Sequence, residues 1–179
     1  MACPRLIIAD DHPEMRVANA RLLEPEFEVA TSVNNGVVAL DAVMLLKPDV
    51  VILDISMPQL TGIEVARRLT AGGSHVNIVF LTVIEDPDFV RKSVAAGGSA
   101  YVVKSRLATE LRLVIDEVLA GHTFISPSLA LPGEYCQYTR PYEGIGDTKA
   151  VNSCDGVGLN PRCRGWPVLS CQDALAGME

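Results

Sequence analysis

Five residues have the types and the placement to do chemistry together: Asp10, Asp11, Asp54, Thr82 and Lys104. Each stands at the carboxyl end of a short apolar run. Asp10-Asp11 follow RLIIA, Asp54 follows VVIL, Thr82 follows IVFL and Lys104 follows AYVV. Three carboxylates brought into one crevice repel one another, and a divalent cation relieves that repulsion. Oxygen ligands with few other protein donors suit magnesium. A lysine supplies a point charge for an anion, and the threonine supplies a hydroxyl. Carboxylates, a hard cation, one lysine and one hydroxyl are the equipment for moving a phosphoryl group. An aspartate can itself be the nucleophile and carry the group as an aspartyl phosphate.

Taken singly, each residue has a plainer reading. Asp10 or Asp11 caps a helix, Asp54 ends a strand in a turn, Thr82 is an ordinary β-branched strand residue and Lys104 is a solvated strand end. Their joint placement favours the chemical reading.

The elements that must position them follow from the pattern. Asp49 to Gly62, read DVVILDISMPQLTG, opens with an apolar, β-branched run and breaks at Met57-Pro58 and Gly62. That fits a strand buried on both faces of a parallel sheet. Further strands are expected over Arg5–Ala9, Phe27–Val33, Val76–Thr82 and Ala100–Val103. Helices are expected between them. The first starts at Pro13 and faces inward through Met15, Ala18, Leu22 and Leu23. The others run over Val37–Leu46, Thr61–Leu69, Asp86 to about Ala96, and Leu107–Ala120. Strands alternating with helices imply a parallel sheet covered on both faces by right-handed crossovers. The expected fold is a doubly wound α/β sandwich with strand order 2-1-3-4-5. Its switch point between strands one and three puts Asp10-Asp11 beside Asp54.

The chain has 179 residues and a formal net charge of −7. That balance argues against broad electrostatic affinity for nucleic acid or anionic membrane. No run approaches the ~18 apolar residues of a membrane span, and the apolar run near the N-terminus is too short for a signal peptide. The expected location is the cytoplasm, where the five cysteines read as free thiols.

With ADDHP, LDISMPQLTG, Thr82 after IVFL, and Tyr101-Val102-Val103-Lys104 in view, the sequence resembles the receiver domain of two-component response regulators, a flavodoxin-like (βα)5 fold. The likeness covers about Arg5 to Ser128. DDHPEMR and the exit AGHTFISPSLA look most like receivers that precede a LuxR-type helix-turn-helix domain. The resemblance implies that Asp54 accepts a phosphoryl group from a phosphohistidine on a partner histidine kinase. It implies that Asp11, Asp54 and the backbone carbonyl of Ser56 ligate Mg2+, with Asp10 acting mainly through water. Lys104 and Thr82 would bind phosphoryl oxygens, and Tyr101 would rotate inward as Thr82 is drawn to the site. The surface of the fourth helix, fifth strand and fifth helix then changes state and offers a homodimer face. Two positions depart from the family pattern: Val83 where a small residue is usual, and Ala100 where glycine is common. Val83 is expected to narrow access to the site and alter phosphoryl lifetime.

The receiver is assigned to residues 1–128 and an irregular tail to 129–179. The tail is dense in glycine and proline and shows no recognition helix or basic stripe, with six acids against four bases. DNA binding is therefore not expected. Leu169 to Met178 could form a short helix. Cys136, Cys154, Cys163 and Cys171 lack the close spacing of a zinc site. Cysteines together with Trp166 are unusual for a disordered linker, and one reading is that the natural frame is lost near Leu131. The competing functions are a LuxR-type transcription regulator with a lost DNA-binding domain and a magnesium-dependent phosphatase with an aspartyl nucleophile. The phosphatase would carry a second aspartate two residues after Asp54, where Ser56 stands. The receiver catalyses only its own phosphotransfer and dephosphorylation and is otherwise not an enzyme.

Overall fold

In the computed structural model, residues 3–126 and Leu129 are described. Strands β1 (Arg5–Ala9), β2 (Glu28–Val33), β3 (Val50–Leu53), β4 (Asn77–Thr82) and β5 (Ala100–Val103) alternate with helices α1 (Pro13–Leu23), α2 (Gly36–Leu46), α3 (Gly62–Ala71), α4 (Pro87–Ala95) and α5 (Leu107–Leu119). A 3-10 turn, Lys104–Arg106, joins β5 to α5, and a short strand β6 (Phe124–Ile125) follows α5. The sheet is parallel throughout, in the order β2-β1-β3-β4-β5-β6. The expected order of five is present, and a sixth strand extends it beyond β5. The five-strand expectation is corrected on that point: the exit segment carries on the sheet.

Alternate residues of the central strands enter opposite cores, as strand geometry requires. Ile7, Val51, Leu53, Phe80 and Tyr101 pack toward α2, α3 and α4 through Val43, Val65, Leu69 and Val90. Leu6, Ile8, Ile52, Val79 and Val102 pack toward α1 and α5 through Leu23, Leu111, Val114 and Val118. β3 is fully buried along its length, which is why VVIL reads as a continuous apolar run.

The first helix meets expectation at Leu23, which is buried, and at Met15 and Leu22, which are half-buried, and differs at Ala18. Ala18 is exposed, and Asn19 and Leu23 are the buried positions of α1. Helix α2 is apolar on its outer side as well. Val37, Val38, Met44 and Leu45 are 41%, 44%, 57% and 81% exposed. Leu129, assigned to the tail from sequence, is 8% exposed and joins the core on the α2–α4 side. Residues 130–179 lie outside the described residues, and with them the expected helix Leu169–Met178, the four tail cysteines and the frame-loss reading. Among the described residues, no helix is long and apolar enough to cross a membrane.

Candidate functional site

Strand register builds the site. Ala9 pairs with Leu53 across β1 and β3, and the Asp54 N–H donates to the Ala9 carbonyl at 2.8 Å. Asp10 and Asp54 therefore leave the sheet abreast. Thr82 pairs with Val103 across β4 and β5, so Lys104 starts one residue past that pair.

Lys104 Nζ lies 2.6 Å from Asp54 Oδ2 and 2.7 Å from Asp10 Oδ2. Both carboxylates are buried, Asp10 at 1% and Asp54 at 4% exposure. Burial alone would lower the Lys104 pKa. The hydrogen bonds and charges of Asp10 and Asp54 outweigh it, and the ammonium is held above its usual range. The other oxygens are bound more lightly. Asp10 Oδ1 accepts the His12 N–H at 2.9 Å, and Asp54 Oδ1 accepts the Ser56 N–H at 3.3 Å. Arg16 donates to the Asp10 carbonyl at 2.7 Å, tying the first turns of α1 to the acid pair.

Neither Asp10 nor Asp11 caps α1. The N-cap residue is His12, which makes no side-chain cap bond. That removes the helix-cap reading of the acid pair. His12 Nδ1 instead lies 2.8 Å from Asp11 Oδ1 and 3.4 Å from Asp10 Oδ1. Ligand atoms of Asp10, Asp11, His12 and Asp54 all fall within 4.8 Å of one another. This donor set, dominated by carboxylate oxygen, fits a hard divalent cation. His12 was in sight in DDH yet was not assigned to the site from sequence.

The loop after Asp54 is held from below. Gly62 N–H donates to the Ile55 carbonyl at 3.0 Å. A Cβ on Gly62 would stand 2.2 Å from the Asp54 carbonyl oxygen, so only glycine permits this approach. Thr61 caps α3 in a reciprocal capping box with Glu64. Those bonds to Thr61 hold the Glu64 carboxyl below its usual range.

Thr82 is fully buried, and its Oγ1 accepts the Ile84 N–H at 3.2 Å. Tyr101 is 1% exposed, and its hydroxyl donates to the Ile84 carbonyl at 2.7 Å. Burial, then the charges of Asp86, Asp54 and Glu85, raise its phenol pKa. Val83 is 71% exposed, standing between Thr82 and Ile84 on the surface. The structure thus brings Asp10, Asp11, Asp54 and Lys104 together, puts Thr82 at the end of β4, the strand next to β3, and links Thr82 to Tyr101 through Ile84. Ser56 is exposed on the loop after Asp54.

Residues 6–116 match the family described as the response regulator receiver domain. The response regulator GacA of Pseudomonas viridiflava is 32% identical over 128 residues, which are 70% of this chain and 60% of that protein. The positive transcription regulator BvgA of Bordetella pertussis is 34% identical over 128 residues, 71% of this chain and 61% of that protein. The chain therefore spans about 60% of the length of these curated relatives. Among solved structures, a LuxR-family two-component response regulator from Aurantimonas superposes with a TM-score of 0.69 at 29% identity, covering 77% of this chain and 96% of that one. A LuxR-family DNA-binding response regulator from Staphylococcus aureus gives 0.63 at 33% identity, covering 65% and 98%.

Proposed function

The chain belongs to the response regulator receiver family, and from that premise we propose that it is switched by phosphorylation of Asp54 by a histidine kinase. The observation that carries this reading is the unequal treatment of the two Asp54 oxygens. Oδ2 is held by Lys104 at 2.6 Å. Among the described residues, Oδ1 receives only the long bond from the Ser56 N–H, so a lone pair is free for attack. Oδ1 attacks the phosphorus of a phosphohistidine, the P–N bond breaks, and its electron pair returns to the donor imidazole. Lys104 stands close enough to bind an oxygen of the transferred group, and Thr82 offers a second contact. Asp11, Asp54 and the Ser56 carbonyl would hold Mg2+, with Asp10 acting through water. Bound there, the cation supplies positive charge for the phosphoryl oxygens.

Phosphorylation biases the Thr82–Ile84–Tyr101 connection and, through it, the surface of α4, β5 and α5, which is also the face for a homodimer. We take residues 1–128 as the receiver, acting in the cytoplasm as a signalling module that catalyses only its own phosphotransfer and dephosphorylation. A wider role as a LuxR-type transcription regulator is the second reading. It is favoured by the LuxR-family structures that the receiver matches.

Incubation with acetyl phosphate and Mg2+, followed by peptide mapping, tests the first reading. A hydroxylamine-sensitive phosphate on the peptide containing Asp54 is expected. Phosphate on any other residue, or none, would refute it.

A further inference from the structure

The exit segment after α5 is built into the end of β5. Ser126 is fully buried, and its N–H donates to the Tyr101 carbonyl at 2.9 Å. Its Oγ accepts the Val103 N–H at 3.2 Å and donates to Glu110 Oε2 at 2.6 Å. Glu110 is itself 8% exposed, and its other oxygen meets Arg106 Nη1 at 3.4 Å. Lys104 opens the 3-10 turn between Val103 and Arg106. The turn is thus fastened at both ends, to Ser126 on one side and Glu110 on the other, and the Ser126–Glu110 bond closes the ring.

Donor chemistry fixes the directions. The Val103 N–H can only donate, so the hydroxyl oxygen accepts it and gives its single proton to Glu110 Oε2. A hydroxyl at residue 126 answers both demands. Without it, a buried N–H and a buried carboxylate oxygen each lose a partner.

We propose that Ser126 and Glu110 are positioning residues for Lys104, and that β6 is coupled through them to the phosphoryl site. The proposal rests on Asp54 being the acceptor. Holding the turn keeps the ammonium aimed at Asp54 and at the oxygens of a bound phosphoryl group. By reciprocity, whatever draws Lys104 to a phosphoryl group also tightens the seat of Ser126 on β5. The state of the site is thereby passed to the exit segment along a route that does not use the side chains of Thr82 and Tyr101.

The test uses the full 179-residue chain with Mg2+ and beryllofluoride, a phosphoryl mimic. Ser126→Ala should bind beryllofluoride about tenfold more weakly while Mg2+ affinity stays unchanged. Glu110→Gln, which keeps an oxygen for the hydroxyl but loses the charge facing Arg106, should weaken it less. In the wild type, beryllofluoride should slow hydrogen exchange at the Val103 and Ser126 amides. Equal beryllofluoride affinity in folded Ser126→Ala overturns the proposal. So does unchanged exchange at those two amides in the wild type, a measurement that decides the matter should Ser126→Ala fail to fold. A wild type that does not bind beryllofluoride removes the acceptor reading itself, and this proposal with it.

Discussion

The Tyr101 hydroxyl donates to the carbonyl of Ile84, and the N–H of the same Ile84 donates to Thr82 Oγ1. One peptide segment is therefore gripped by both residues that the family likeness names as the switch. The Tyr101 ring is buried, at 1% exposure. Moving Thr82 toward a phosphoryl oxygen must break or drag its bond to the Ile84 N–H, and the drag reaches the Tyr101 hydroxyl through the carbonyl of the same residue.

Tyr101→Phe keeps the ring and removes this grip. It should cost about 1 kcal/mol of stability, the usual net worth of one hydrogen bond, read from urea unfolding. Phosphorylation of Asp54 by acetyl phosphate should persist. Unfolding curves that superpose with the wild type would mean that the hydroxyl bond contributes nothing.

Asp54→Asn should remove stable phosphorylation, because an amide is a poor nucleophile. The variant should stay folded, since an amide oxygen can still accept from Lys104. Labelling of this variant at the wild-type level would move the acceptor to another residue.

Asp11→Ala should leave the metal-free protein at least as stable as the wild type. Asp11 has an oxygen within 4.8 Å of the Asp10 and Asp54 carboxylates, and repulsion between like charges so close should outweigh the loss of its partly exposed contact with His12. Mg2+ at ten times its Kd should stabilise the wild type by about 1.4 kcal/mol and leave the variant unmoved. The readout is the melting temperature with and without Mg2+. A metal-free variant that melts several degrees lower would contradict the repulsion argument.

Gly62→Ala should be among the most damaging single-methyl additions in the chain. The new Cβ would lie 2.2 Å from the Asp54 carbonyl oxygen, and that backbone cannot yield without displacing the acceptor. Overpacking of this kind costs about 1–3 kcal/mol, and phosphorylation should fall alongside stability. A variant with wild-type melting temperature and wild-type phosphorylation rate would show that the loop has slack.

Much of this was legible in the sequence. VVIL and AYVV are buried on every residue, as strands covered on both faces of a parallel sheet must be, and their β-branched content favours strand over buried helix. Their ends, and the residues just past them, were placed by the same runs. The exposure of Ala18 in α1 was not legible, because Val17 and Ala18 look as apolar as the residues that do face inward. Asn19 takes the buried place that composition would give to Ala18. β6 was missed for a simpler reason. Two residues, Phe124 and Ile125, carry no period, and their pairing is set by the bonds of the Phe124 N–H to Ser99 and of the Ser126 N–H to Tyr101. Glu110 reads as an ordinary polar position of an amphipathic helix until Ser126 is seen lying against it. The convergence of His12 on the acid pair needed the chain to turn at Pro13 before it could be seen.

The closing of the sheet by β6, with Leu129 seated in the core, bears on how the domain is made. A chain grows from its N-terminus, so β1 through α5 leave the ribosome before the residues that complete the β5 edge. A nascent receiver folded through α5 would have that edge uncovered, and the Val103 N–H would lack its Ser126 partner, until Ser126 and Leu129 emerge. During synthesis, the last-made segment acts as the latch of the domain, and a pause in translation just after α5 would hold the edge open to other strands.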